Sequence, residues 1–212
     1  MYPAGNLLIP TSHGRLEALL KEQRADERRG AALVLHPHPL GGGTMHNKVV
    51  FRAAAALNEA GLATLRFNFR GVGQSTGAHD EGRGEIEDAR AALDYLAGRY
   101  TGEPLMLCGF SFGAWVGMRV GIEDARVRAL VSIGTPVDKY DFSFMADCRK
   151  PVLFVHGERD EFGSTESLRA LVARLPQEAR AQLEIIEHAD HFFAGHLDAL
   201  KRAITEWANH NS

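Results

Sequence analysis

Apolar positions in this chain switch repeatedly between two periods, and the switches mark out alternating strands and helices. Near the start, Leu16, Ala18 and Leu20 alternate with Arg15, Glu17 and Lys21. A period of two with apolar residues on one side predicts a strand with one solvated face. Residues 6–10 and 15–21 therefore read as an antiparallel hairpin around the turn 11–14, at a sheet edge. Residues 31–35, 105–108, 127–133 and 151–155 are short, mainly apolar runs instead. Such runs predict strands buried on both faces, the habit of parallel sheets. Residues 62–67 and 183–187 join them as strands. Between the strands the period lengthens. Val49, Val50, Ala53, Ala54 and Leu57 share one face of a helix over 45–60, with Gly61 as its stop. Ile86, Ala89, Leu93 and Leu96 do the same for a helix over 85–99. Trp115, Met118 and Ile122 give a third, residues 164–175 a fourth ended by Pro176, and Leu197, Leu200, Ile204 and Trp207 a fifth over 196–209. Strands alternating with helices through short links predict an α/β fold: a doubly wound, mostly parallel sheet with helices on both faces, one domain over residues 1–212. Residues 135–150 are too few for a separate lid domain.

Composition narrows the function classes. A net charge of −3 gives no electrostatic footprint for nucleic acid. No apolar stretch approaches the roughly 20 residues of a membrane span. Met1 to Pro10 has neither a basic n-region nor a long apolar h-region, so no signal peptide is expected. Cys108 falls in a core strand and Cys148 in a polar stretch. Two unpaired thiols fit a reducing, cytoplasmic setting, with the chain a monomer or homodimer. His36, His38 and His46 have no carboxylate or thiolate at ligand spacing, so neither metal nor cofactor is expected. The segment Gly71-Val72-Gly73-Gln74-Ser75-Thr76-Gly77 tempts a nucleotide reading. A dinucleotide fingerprint needs glycine at Thr76, and a Walker A loop needs Gly-Lys before Ser or Thr. It reads as a loop near the active-site rim, with Asp80 and Glu81 solvated.

The chemistry gathers where strands end. The run Leu105-Met106-Leu107-Cys108 enters Gly109-Phe110-Ser111-Phe112-Gly113, and a helical segment follows. Strand, tight turn and helix are the setting in which Gly-x-Ser-x-Gly exposes a nucleophilic serine. The free N–H groups at the helix start favour negative charge beside it, and the N–H of Phe112 is the first donor to a developing oxyanion. Serine needs a base to take its proton, and histidine has the matching pKa. The imidazole in turn needs a carboxylate to fix its tautomer. Asp160 and His191 each follow a predicted strand, as Ser111 does, and ligands gather at the carboxyl ends of such strands.

With those residues in place, the chain resembles the α/β-hydrolase superfamily over nearly its whole length. It is most similar to small, lidless bacterial serine hydrolases related to dienelactone hydrolases and serine aminopeptidases. The resemblance rests on His36-Pro37-His38-Pro39-Leu40-Gly41-Gly42-Gly43, Phe69-Arg70-Gly71-Val72-Gly73-Gln74-Ser75, Gly109-Phe110-Ser111-Phe112-Gly113, His156-Gly157-Glu158-Arg159-Asp160 and Ala189-Asp190-His191-Phe192-Phe193. It implies Ser111 as nucleophile, Asp160 as acid and His191 as base. It also implies a second oxyanion donor after the third strand, at His38 or Leu40, since Pro37 and Pro39 have no N–H. Many relatives carry His-Gly where this chain has His36-Pro37, and dienelactone hydrolases use cysteine at the position of Ser111. Asp138 is the rival acid, His188 and His196 the rival histidines, and Asp190 reads as a turn residue. Tyr140, Phe142, Phe144 and Met145 either line an acyl pocket or pack their loop down.

The expected activity is hydrolysis of small carboxylic esters, with a small acyl substrate as the only partner. A thioesterase for acyl-coenzyme A would want a basic rim, for which Arg70, Arg83 and Lys139 are the loop candidates. An aminopeptidase would need an acid for the substrate amine, from Glu81, Asp138 or Asp141. A non-catalytic binding fold is the third reading, which three co-located catalytic residue types disfavour.

Overall fold

The computed structural model describes residues 5–211. Residues 1–4, part of the start read for a targeting segment, and Ser212 lie outside them. The described strands are β1 (Leu7–Thr11), β2 (Gly14–Lys21), β3 (Gly30–Leu35), β4 (Leu62–Phe67), β5 (Leu105–Phe110), β6 (Val127–Ile133), β7 (Val152–Gly157) and β8 (Gln182–Ile186). They form one sheet in the order β1-β2-β4-β3-β5-β6-β7-β8. β2 pairs antiparallel with β1 and with β4, and every later pairing is parallel. The hairpin is thus an antiparallel edge on a parallel sheet.

The helices are α1 (Lys48–Glu59), α2 (Arg83–Arg99), α3 (Phe112–Glu123), α4 (Thr165–Val172) and α5 (Leu197–Asn211). They cover both faces. Residues of β5 alternate between two cores: Leu105 and Leu107 pack with α2, α3 and α4, while Met106, Cys108 and Phe110 pack with α1 and α5. That is why the central strands read as unbroken apolar runs. Cys108 and Cys148 are both buried free thiols. Among the described residues no helix is long and apolar enough to cross a membrane.

Local chemistry trimmed several predicted boundaries. Asn47 accepts from the N–H of Val49, so α1 starts after Asn47 although the apolar spacing reaches back to Met45. α4 stops at Val172, well before Pro176, and a single 3-10 turn follows at Gln177–Ala179. Two prolines in three residues disfavour helix, yet Pro39–Gly41 closes a 3-10 turn. Proline at a first helical position gives up a donor that has no partner there in any case.

β3 is the pivot. Its neighbours are β4 on one side and β5 on the other; the chain runs from β3 toward β4, and from β5 toward β6 in the opposite direction. A crevice opens at such a reversal. The connection after β6, residues 134–151, holds only a 3-10 turn at Ser143–Asp147, and no lid domain stands over the crevice among the described residues.

Candidate active site

Ser111 sits at the tip of the β5–α3 turn with φ 56° and ψ −120°. Only a turn forced by its flanks holds a non-glycine residue in this strained region. The flanks are forced by close packing. A Cβ added to Gly113 would lie 2.5 Å from the His36 carbonyl oxygen, and one added to Gly109 would lie 2.2 Å from the Gly113 carbonyl oxygen. Only glycine allows this approach. The Ser111 N–H continues the sheet ladder to the Ile133 carbonyl at 2.9 Å, which fixes the tip.

The structure brings together the three residue types that the strand ends were expected to supply. His191 Nε2 lies 2.9 Å from Ser111 Oγ, and His191 Nδ1 lies 2.7 Å from Asp160 Oδ2. Phe162 donates its N–H to Asp160 Oδ1 at 2.8 Å, so both carboxylate oxygens are engaged. The imidazole is walled by Phe110, Phe162 and Phe192, with ring centroids 5.0, 4.5 and 5.2 Å away. Ser111 is 9% exposed and His191 2%, so bulk water barely reaches the chain of hydrogen bonds. A carboxylate-to-imidazole bond requires the proton on Nδ1, which leaves Nε2 free to accept from the serine hydroxyl.

The rival residues are occupied elsewhere. Asp138 accepts from the N–H of Ser164 at 2.7 Å and so helps hold the entry to α4, which also draws its carboxyl below the usual range. His188 is exposed and donates its N–H to Glu158. Asp190 accepts from the Ala194 N–H, as expected of a turn residue.

The loop after β3 is organised by His36. Its Nε2 accepts from the Phe69 N–H at 3.0 Å, and its Nδ1–H therefore donates to the Pro37 carbonyl at 2.6 Å. Neither the motif His36-Pro37-His38-Pro39 nor its spacing shows this task on its own; the apolar run ending in His-Pro is the signal that could have shown it. Phe112 opens α3, so its N–H has no acceptor within the helix. Leu40, the other donor named for that loop, is engaged locally. Its N–H is taken by His38 Nδ1 at 3.2 Å, and its side chain is 78% exposed. The His38 ring lies over Phe112, with centroids 5.0 Å apart.

The aromatic loop divides its labour. Met145 is fully buried in the core, which removes it from the pocket candidates. Phe144 stacks on Phe142 and beneath the Arg119 guanidinium, so it packs the loop down. Tyr140 stacks on Trp115 and reaches within 6.0 Å of Phe112. Tyr140 and Phe142 line a cavity of about 550 Å³ between this loop and α4, and none of Ser111, Asp160 and His191 lines it.

Two loop expectations also change. Glu17, on the predicted solvated face of β2, is buried. Burial pushes its pKa up, but N–H groups of Gln74, Gly5 and Asn68 outweigh that and hold it below the usual range. It thereby anchors the glycine-rich loop after β4. Arg70 is not a rim cation: it is buried against Asp88, with Nη2 to Oδ1 at 2.8 Å. Among the described residues no three His, Cys, Asp or Glu side chains gather as a metal site.

Burial pushes His36 down to about 4. A neutral native imidazole and an ordinary unfolded one bind protons differently below about pH 6.5. The unfolded state takes the proton first, so this stability is complete above that pH and is lost as pH falls toward about 4. The loss attributable to His36 is expected to be about 3 kcal/mol. Urea unfolding at neutral and acid pH checks it, with His36→Gln showing a correspondingly shallower pH dependence.

Parallel strands, a strained serine between β5 and α3, and a buried histidine and carboxylate in series define the class: a hydrolase on an α/β sheet. The chain belongs to the alpha/beta hydrolase domain family, whose model matches residues 30–208. An uncharacterised protein of Rickettsia prowazekii is 41% identical over 183 residues, covering 83% of this chain and 77% of that one. The structure of an α/β serine hydrolase homologue from Coxiella burnetii superposes with a TM-score of 0.88 at 37% identity, covering 97% of this chain and 99% of that one. A Xanthomonas campestris α/β serine hydrolase without lid gives a TM-score of 0.88 at 32% identity, covering 99% and 96%.

Proposed function

We propose that this protein is a serine esterase that cleaves small carboxylic esters through an acyl-enzyme, with Ser111, His191 and Asp160 as its triad. The observation that carries the reading is the unbroken series from Ser111 Oγ through His191 to Asp160, at 2.9 and 2.7 Å. Ser111 Oγ attacks the ester carbonyl while His191 Nε2 takes the hydroxyl proton. Asp160 stabilises the imidazolium that forms. The carbonyl oxygen becomes an oxyanion and receives the N–H groups of Phe112 and His38. Collapse of the tetrahedral intermediate expels the alcohol, which leaves with the proton held by His191. Water then enters, gives its proton to His191 and releases the acid from Ser111.

The rivals lack support from the site. Arg70 is buried and paired, so it contributes nothing to a basic rim for coenzyme A. Asp138 and Asp141 are spent on the backbone N–H groups of Ser164 and Ser143, which leaves an aminopeptidase little to hold a substrate amine.

Hydrolysis of a p-nitrophenyl ester series from acetate to long chains tests the proposal. Turnover is expected to fall with chain length, and saturation to run smoothly through the micellar threshold, because no lid must open. No turnover on any ester, together with no labelling by a serine-directed phosphonate, would sink it.

A further inference from the structure

His156 closes β7 in the segment His156-Gly157-Glu158-Arg159-Asp160 and has no part in the chemistry just described. Its side chain is fully buried. Nε2 lies 2.7 Å from the Gly163 carbonyl oxygen. A carbonyl only accepts, so the imidazole proton sits on Nε2. Nδ1 is then a bare lone pair, buried and without a hydrogen-bond partner among the described residues. The group it faces is Asp160. Nδ1 stands 3.8 Å from Oδ2, the same oxygen that accepts from His191 Nδ1. Folded proteins rarely leave a buried polar atom unpaired, least of all with its lone pair turned toward an anion.

We propose that His156 is a positioning residue for the Asp160–His191 pair. It ties down the loop that carries Asp160, and its bare Nδ1 leaves His191 as the one imidazole donor to the carboxylate. The inference rests on the serine-esterase reading above.

The tie is geometric. The bond from Nε2–H to the Gly163 carbonyl spans the turn 157–163, and inside that turn the Phe162 N–H holds Asp160 Oδ1. With Oδ1 held, Oδ2 can turn only toward the two histidines. The same turn brings the Phe162 ring against His191.

The selectivity is a matter of protons. Oδ2 has imidazoles on two sides, and with His156 neutral only His191 offers it an N–H. A proton on His156 Nδ1 creates a competing, charge-assisted donor. The carboxylate is then shared, and it supports less well the His191 imidazolium that must form when Ser111 is deprotonated. Three ionisable groups face His156: Asp160 from its own loop, His191 from the connection after β8, and Asp138 from the connection after β6. Burial is the largest influence and pushes His156 below the ordinary histidine range; Asp160, the Gly163 carbonyl and Asp138 pull the other way, and His191 adds to the burial. The competitor is therefore silent near neutral pH and enters on acidification.

The experiment compares the wild type with His156→Gln and His156→Phe in ester hydrolysis over about pH 4 to 8, the range in which histidines titrate. A glutamine amide reaches the Gly163 carbonyl with an N–H but takes up no proton. Log kcat/KM of the wild type is expected to fall on acidification with a limiting slope of two, the second proton being the one that His156 takes. The Gln variant keeps a slope of one throughout. The Phe variant, which loses the tie, drops in kcat by about 10- to 100-fold with KM little changed. The acid limb of the Gln variant decides the question: a limb that coincides with the wild type overturns the proposal, whatever the Phe variant does. Phosphonate labelling separates the two levels of inference. Wild-type protein that does not react at Ser111 overturns the esterase reading and this one with it. Labelled protein with coincident limbs overturns the role of His156 alone.

Discussion

Replacing Ser111 with alanine is expected to lower kcat for a small ester by about 10⁴–10⁶-fold and to abolish phosphonate labelling. The remaining acceleration would come from the oxyanion donors and from substrate binding, which the substitution leaves in place. Stability should hardly change. The backbone strain at φ 56° belongs to the turn and not to the hydroxyl, and alanine accepts it about as well as serine does. The hydroxyl makes one side-chain contact, to His191 Nε2. Thermal melting beside the kinetic assay therefore separates lost chemistry from lost folding. Residual activity above about 1% of wild type would point to another nucleophile.

Asp160→Asn is expected to cost about 10⁴-fold in kcat, and the structure gives the reason in terms of a single proton. The Phe162 N–H donates to Asp160 Oδ1 at 2.8 Å. In the variant that N–H selects the amide oxygen for the same position, so the amide NH₂ is turned toward His191 Nδ1. Two donors cannot face each other. The His191 proton moves to Nε2, and Nε2 then cannot accept from Ser111. The fold survives, since every backbone contact of the loop remains. Asp138→Asn is the control. Its carboxylate holds the Ser164 N–H, and an amide oxygen can do the same, so kcat should stay near wild type. Kinetics of the two variants at neutral pH, with a histidine NMR spectrum to report the tautomer, check the argument. Comparable losses in both would mean that the acid had been assigned to the wrong strand.

Much of the architecture was legible because each central strand is buried on both faces, which writes an apolar run into the chain. The serine, the carboxylate and the histidine were legible for a related reason: Ser111 follows such a run directly, and Asp160 and His191 lie in the turns just past β7 and the half-exposed edge strand β8. What the sequence concealed were the buried polar residues. Glu17 alternates correctly for a solvated face, and only the fold brings the loop after β4 over it. Arg70 lies in a glycine-rich loop that looks exposed until Asp88 of α2 meets it. His36 and His156 end apolar runs, but what each one bonds comes from residues far away along the chain or across a turn. The fate of the loop aromatics was equally hidden, because Met145 and Tyr140 differ in burial through the way the loop folds on α3, and their spacing carries no trace of it. The Leu40 N–H went to a side chain two residues back, a local choice that backbone counting does not reveal.

The strand order has a consequence for the chain's own synthesis. Ser111 and its hydrogen-bonding partner His191 are separated by 80 residues, and His191 follows β8, which among the described residues pairs only with β7 at the far side of the sheet. At ordinary translation rates of about 5–20 residues per second, Ser111 leaves the ribosome about 4–16 s before His191. On the proposed mechanism the serine is an ordinary alcohol over that interval. On the proposed mechanism a growing chain is not acylated by a reactive ester, and the first competent form is one whose last strand has already docked.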